Sequence, residues 1–252
     1  MQKLLGIVKY LPIVMLVSPL HAATPSMNMP GSINIDLHGA NGTQSFSIPV
    51  QIVILLTLLS FIPALLISIT SFTRIVVVFH FLRQALGTTE TPSNQIVLGL
   101  TLFLTFFIMS PVAEQINQKA FQPLVSGKIS QGDAFEQAIG PVRGFMLKYT
   151  REKDLALFLS LAKQPRPKSA EEIPTTVVIP AFMISELKTA FQIGFVLFLP
   201  FLVIDMVVAT VLLSMGMMQL TPVMVSMPFK ILLFIMVDGW NLIVGSLVKS
   251  YY

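Results

Sequence analysis

The sequence predicts an all-α protein of membrane-inserted or membrane-associated helical hairpins, with a polar helical segment between the second and third apolar runs. Three observations carry this. Of the 252 residues, 54% are hydrophobic and 11% are charged, against roughly 25% charged in soluble domains, and the mean hydropathy is +0.79. Four apolar runs are long enough for a helix, rising about 1.5 Å per residue, to cross a bilayer core of roughly 30 Å. Between the second and third runs, residues 114–185 hold nine of the 16 basic residues and seven of the 12 acids. That is a mixed-charge, solvated stretch and not a nucleic-acid patch. The chain has no cysteine, which excludes disulfides and thiolate metal sites.

Residues 1–22 have the plan of a secretory signal peptide. Lys3 and Lys9 form its basic start, Tyr10–Val17 its short apolar core, and Ser18-Pro19 breaks the run before an expected cut after Ala22. Residues 23–48, rich in Pro, Gly, Asn and Ser, read as a flexible extracytoplasmic segment. Residues 49–113 are expected to form the first apolar helical hairpin. Its first run, Pro49–Phe72, contains Pro63, which kinks a helix and is tolerated in membranes when neighbours satisfy the freed carbonyl. Its second run, Asn94–Ala113, is uncharged. Thr73–Glu90 between them reads as a cytoplasmic connection, because Arg74 and Arg83 give it a basic bias. His80 has no second ligand-type residue at helical spacing and reads as a core or interface histidine.

Residues 114–180 are expected to be a polar, mainly helical periplasmic region. Gly127, Gly132, Gly140, Pro141 and Gly144 read as its turns, and Lys163–Glu172 as a loop. Phe145–Leu161 carries the apolar spacing of an amphipathic helix. Residues 181–252 form the expected second apolar hairpin with a methionine-rich turn. It opens on a charged turn at Glu186 and Lys188, then runs 23 residues from Ile193 to Met215 with Asp205 as the single charge. The fourth run, Pro222–Val248, is interrupted by Lys230 and Asp238. With the N-terminus outside and four spans, 114–180 falls outside the cytoplasm and the Met215–Pro222 turn on the cytoplasmic side.

The charges inside these runs are the sharpest signal, since each costs roughly 2.5–3.5 kcal/mol to insert unpartnered. Lys230 and Asp238, eight residues apart on one expected helix, are separated by about 12 Å of rise and cannot neutralise each other. Counted from the turn, Lys230 and Asp205 lie within about one helical turn of the same level, which makes them the expected buried pair. Asp238 is left to face another copy or subunit. Three uses of such charges come into question. An aspartyl dyad is opposed by the lysine beside Asp205 and by the absence of a Gly-x-Gly-Asp pattern. A small-solute or proton transporter acting through Asp205, Lys230 and Asp238 is the alternative reading, though it calls for symmetry between halves that the sequence lacks. An assembly pair that fixes helix register is the favoured one. Nothing resembles a zinc cluster, a phosphate-cradling glycine loop, a nucleophile elbow or a metal-binding histidine pair. No catalytic residue, metal or cofactor is therefore expected, and the protein does not read as an enzyme.

Met215, Met217 and Met218 sit at a glycine-containing turn beside Pro222. Methionine is flexible and polarisable, so such a turn repeated around a ring makes a deformable apolar closure, tight to ions yet yielding to a chain.

The stretches PAFMISELKTAFQIGFVLFLP (180–200), FLVIDMVVATVLLSMGMM (201–218), PFKILLFIMVDGW (228–240) and TRIVVVFHFLRQALGT (73–88) resemble the FliP family of flagellar type III export proteins, homologous to the SctR proteins of injectisomes. The resemblance covers essentially the whole mature chain, with Arg74, Arg83, Pro180, Phe182, Glu186, Phe191 and Gly194 among its signature positions. It implies a ring of five copies joined to FliQ and FliR in an export gate, working with the export components FlhA and FlhB. It also implies inner-membrane and basal-body placement, with much of the complex raised toward the periplasm. Unfolded flagellar proteins are the implied cargo. The family's methionine gasket falls on Met217 and Met218. Many relatives carry a third methionine where this chain has Gln219.

Overall fold

The computed structural model describes residues 48–88, 91–163, 169, 172–217 and 219–252. The expected signal peptide, nearly all of the 23–48 segment, most of the Lys163–Glu172 loop and Met218 lie outside them. Among the described residues every regular element is helical. One unit of the chain ends at Leu55 and a second runs from Leu56 to Tyr252.

The first helix, α1, spans Ile48–Ile69 with Pro63 inside it, and no residue of its Ile52–Ile69 window is buried. Its Ser68 hydroxyl donates to the Ala64 carbonyl, and that of Thr70, just past its end, donates to Leu66, each at 2.7 Å. The same back-bonding recurs at Thr101, Thr105 and Thr210 in later apolar helices. A hydroxyl so arranged needs no water, which is the condition for placing it in hydrocarbon.

The second helix, α2 (Phe72–Leu86), replaces most of the connection expected over Thr73–Glu90. Ile75, Val78, Phe79, Leu82, Ala85 and Leu86 form a continuous buried stripe on it, with the spacing of one helical face. It packs chiefly on α7 (Thr175–Ser214) and on α3 (Asn94–Ile116). Arg74, expected to contribute to the basic bias of a cytoplasmic connection, is buried at the start of this stripe. His80 is exposed on the same helix and is not a core histidine.

The third helix buries Thr101, Leu104, Thr105, Ile108 and Val112 and exposes Phe103, Phe106 and Phe107. It passes through a π-helical turn, Asn117–Phe121, into the short α4, Gln122–Val125. Helix α5, Gln131–Tyr149, opens with a capping box in which Ser130 and Asp133 satisfy each other's backbone N–H groups. Gly132, Gly140, Pro141 and Gly144, expected as turns, all lie inside α5; only Gly127 sits in a turn. The pattern over Phe145–Leu161 is divided: α5 ends at Tyr149, and α6 begins at Glu152 and runs to Leu161. The break is held by Ser185, whose Oγ accepts from the Arg151 N–H at 3.0 Å and donates to Asp154 Oδ2 at 2.7 Å.

Helix α7 has 40 residues, roughly 60 Å at about 1.5 Å per residue, twice a bilayer core. Glu186 and Lys188 lie within it and not in a turn. Its early part carries α5 and α6, through Phe145 on Phe182 and the Ser185 contacts. Its later part packs on α8, Pro222–Met236. The fourth apolar run is not one helix. It bends by 65° between α8 and α9, Gly239–Lys249. At the bend Asp238 takes the left-handed conformation, φ 51°, one that Asp tolerates better than most side chains. A Cβ on Gly239 would come within 2.2 Å of the Phe234 ring, so only glycine fits there. Trp240 then meets Phe234 edge-on at 5.4 Å and Phe79 at 6.4 Å, returning α9 to α2.

By length and composition α1, the α3–α4 rod and α7 can each cross a membrane, and the bent α8–α9 pair adds a fourth candidate.

Candidate functional site

Helix α7 carries two acids, Glu186 and Asp205, and each meets a cation from another helix. Asp205 Oδ2 accepts from Lys230 Nζ on α8 at 2.6 Å, and its Oδ1 accepts from the Ser226 hydroxyl. Lys230 Nζ also donates to the Ala85 carbonyl at 3.1 Å, at the end of α2. Three helices thus converge on one ammonium. The lysine side chain is 2% exposed and the aspartate 25%, so the cation is the sequestered partner. Asp238, in contrast, is exposed at the α8–α9 bend and shares no helix with Lys230.

The second pair was not anticipated. Arg74 on α2 grips Glu186 through both ends of its fork, Nε to Oε2 at 3.0 Å and Nη2 to Oε1. Its remaining Nη1 donates to Ser250 Oγ at 2.8 Å. Glu186 Oε2 also accepts from the Tyr251 hydroxyl. Arg74 and Glu186 are 3% and 0% exposed. A bidentate Arg–carboxylate pair of this kind withstands burial only when its other donors and acceptors are filled, and Ser250 and Tyr251 fill them. Burial first, and the Glu186 carboxylate second, push the Tyr251 phenol above its ordinary range, so it remains a donor.

The other signature positions hold the helices together. Phe182 is buried and meets Phe145 of α5 edge-on at 5.9 Å, and Phe191 meets Phe81 edge-on at 5.4 Å. Gly194 lets α2 come close, because a Cβ there would stand 2.5 Å from Phe81. Pro180 lies inside α7 without breaking it. The Arg83 guanidinium donates to Asn94 Oδ1, tying α2 to the start of α3.

The methionine turn has a defined backbone. Helix α7 ends in a Schellman motif: Gly216 is left-handed, φ 72°, its N–H donates to Leu213, and the Met217 N–H donates to Leu212, both at 3.0 Å. Met215 is 66% and Met217 41% exposed on this turn, and Gln219 is exposed beside them. Among the described residues no cluster of His, Cys, Asp and Glu is arranged to hold a metal. Arg74, Glu186, Asp205 and Lys230 are satisfied by one another and by Ser226, Ser250, Tyr251 and the Ala85 carbonyl, and Met215 and Met217 form an exposed apolar tip.

A profile of the FliP family matches residues 55–247. The chain is 54% identical over 217 residues to the flagellar biosynthetic protein FliP of Bacillus subtilis (strain 168), covering 86% of this chain and 98% of that protein. It is 53% identical over 224 residues to the protein of the same name from Pectobacterium carotovorum subsp. carotovorum, covering 89% and 86%. A third relative of that name, from Aquifex aeolicus (strain VF5), is 52% identical over 204 residues, covering 80% and 85%.

Proposed function

The chain belongs to the FliP family, and from that premise we propose that it is a core subunit of the flagellar type III protein export gate. In this reading it forms part of the closed channel through which unfolded flagellar proteins leave the cytoplasm. The observation that carries the reading is the pairing of a rigid support with a soft tip. Two buried ion pairs lock α7 to α2 and α8, while the end of α7 presents Met215 and Met217 exposed on a turn pinned by Gly216. Met218 completes the gasket.

Large exposed apolar faces support an oligomeric state. Phe103, Phe106, Phe195, Val196 and Met236 are each more than half exposed, which a subunit covers with lipid or neighbours. Five copies form a ring with FliQ and FliR, next to FlhA and FlhB, in the inner membrane at the basal body. The α4–α6 region lies on the periplasmic side. Asp205, Lys230 and Asp238 serve assembly: the first two set register, and the exposed Asp238 meets a neighbouring subunit. The chain performs no chemistry of its own; transport draws on the proton motive force and an associated ATPase.

Mild detergent extraction followed by native mass measurement tests this. The gate reading expects a large complex containing several copies of this chain and two different small hydrophobic subunits. A stable monomer or simple dimer, active in moving a small solute, would favour the transporter reading instead.

A further inference from the structure

Ser250 caps the last helix and Tyr251 follows it, and Tyr251 is 4% exposed. Its hydroxyl donates to Glu186 on α7, and its carbonyl accepts from the Tyr149 hydroxyl at the end of α5. Its ring lies 3.9 Å from the Arg74 guanidinium carbon, stacks on Phe145 at 5.9 Å and 15°, and meets Tyr149 edge-on at 5.0 Å. Ser250 Oγ takes the remaining Arg74 donor at 2.8 Å. Two residues therefore join α2, α5 and α7 at one point.

Every group they join precedes them in the chain. Arg74, Tyr149 and Glu186 are synthesised first, and without residues 250–251 the ion pair lacks a donor, an acceptor and the nearer of its two aromatic faces. A buried pair in that condition is unfavourable against its hydrated alternative, so the Arg74–Glu186 contact is secured only with this segment in place. We propose that Ser250–Tyr251 is a latch: it fastens the polar helical region to the buried Arg74–Glu186 pair, and thereby makes the chain competent to join other subunits. The last clause rests on the gate reading; the latch within the chain does not.

The chain has no cysteine, so closure can be read with an introduced pair. Lys148 and Tyr252 line one cavity of about 490 Å³ with Tyr149 and Tyr251. Lys148→Cys with Tyr252→Cys, in the full-length detergent-solubilised chain, is treated with a short bis-maleimide, and the yield of large complex is measured in parallel by native mass. Closed chains crosslink. Tyr251→Phe, which keeps the ring and loses the hydroxyl, lowers crosslinking and complex yield at least threefold, and Tyr251→Ala at least tenfold. In the apolar background Arg74→Met with Glu186→Leu, the phenol has nothing to complete, and Tyr251→Phe costs nothing further. That comparison still decides the matter if Tyr251→Ala does not fold. Parent-level crosslinking in Tyr251→Phe, or an equal loss in both backgrounds, overturns the latch. Crosslinking that falls as stated while no chain, parent included, forms a large complex overturns the gate reading and leaves the latch standing.

Discussion

Lys230 is held from two sides, by Asp205 at 2.6 Å and by the Ala85 carbonyl at 3.1 Å, and the two partners are not equally exposed. This asymmetry sets the order of mutational effects. Asp205→Ala strands a buried ammonium and is expected to cost about 3–5 kcal/mol. Lys230→Ala leaves a partly solvated carboxylate still bonded to Ser226, and the expected cost is nearer to about 1–2 kcal/mol. Exchanging the two residues restores the charge pairing but not the bond to Ala85, so rescue is partial. Thermal unfolding in detergent, run as a double-mutant cycle, checks this; equal and additive losses would remove the coupling.

Arg74 makes use of its whole fork, two donors on Glu186 and one on Ser250. Arg74→Lys is therefore expected to destabilise almost as much as Arg74→Ala, by about 3 kcal/mol, because an ammonium cannot span those acceptors. The double change Arg74→Met with Glu186→Leu is expected to cost less than either single change. Melting temperatures of the four chains give the ranking, and an Arg74→Lys variant as stable as the parent refutes it.

Close approach at Gly194 gives a steric prediction. The Cβ of Gly194→Ala would fall 2.5 Å from Phe81, and crowding of this order costs typically about 1–3 kcal/mol. Adding Phe81→Leu is expected to recover at least half of that loss. If the second change gives no recovery in the same melts, α2 and α7 do not meet at this point.

How far these relationships were visible beforehand depended on what dominates each one. The four apolar runs were, because composition alone sets them. The approach of Asp205 to Lys230 could be counted from the turn, since a hairpin fixes level by residue number. The Arg74–Glu186 contact spans 112 positions, and no local rule reaches that far. A signal was nevertheless present: Ile75, Val78, Phe79 and Leu82 form a helical stripe that the basic bias of Arg74 and Arg83 outweighed. Glu186 and Lys188 likewise suggested a turn, although nothing between Thr175 and Ser214 ends a helix and the prolines there are tolerated. The bend after α8 was signalled by the Asp238-Gly239 dipeptide, a turn signal masked by the hydrophobicity around it. Gly140, Pro141 and Gly144 misled in the other direction, because the α5 contacts with α7 override their weak helix propensity.

The left-handed Gly216 is the fixed point of the methionine turn. Gly216→Ala is expected to cost about 1 kcal/mol and to displace Met217, whereas Gly216→Asn, which tolerates that conformation, should cost less. In an assembled gate the alanine variant should raise resting ion leak more than the asparagine variant does. Indistinguishable leak from the two would separate the turn's backbone from the closure.

The most direct test is the ion conductance of the assembled complex carrying Met217→Ala with Met218→Ala. If this chain closes a channel with its methionine turn, assembly survives at parent yield and the resting complex passes ions freely. A complex of the same mass that stays as ion-tight as the parent would contradict that account.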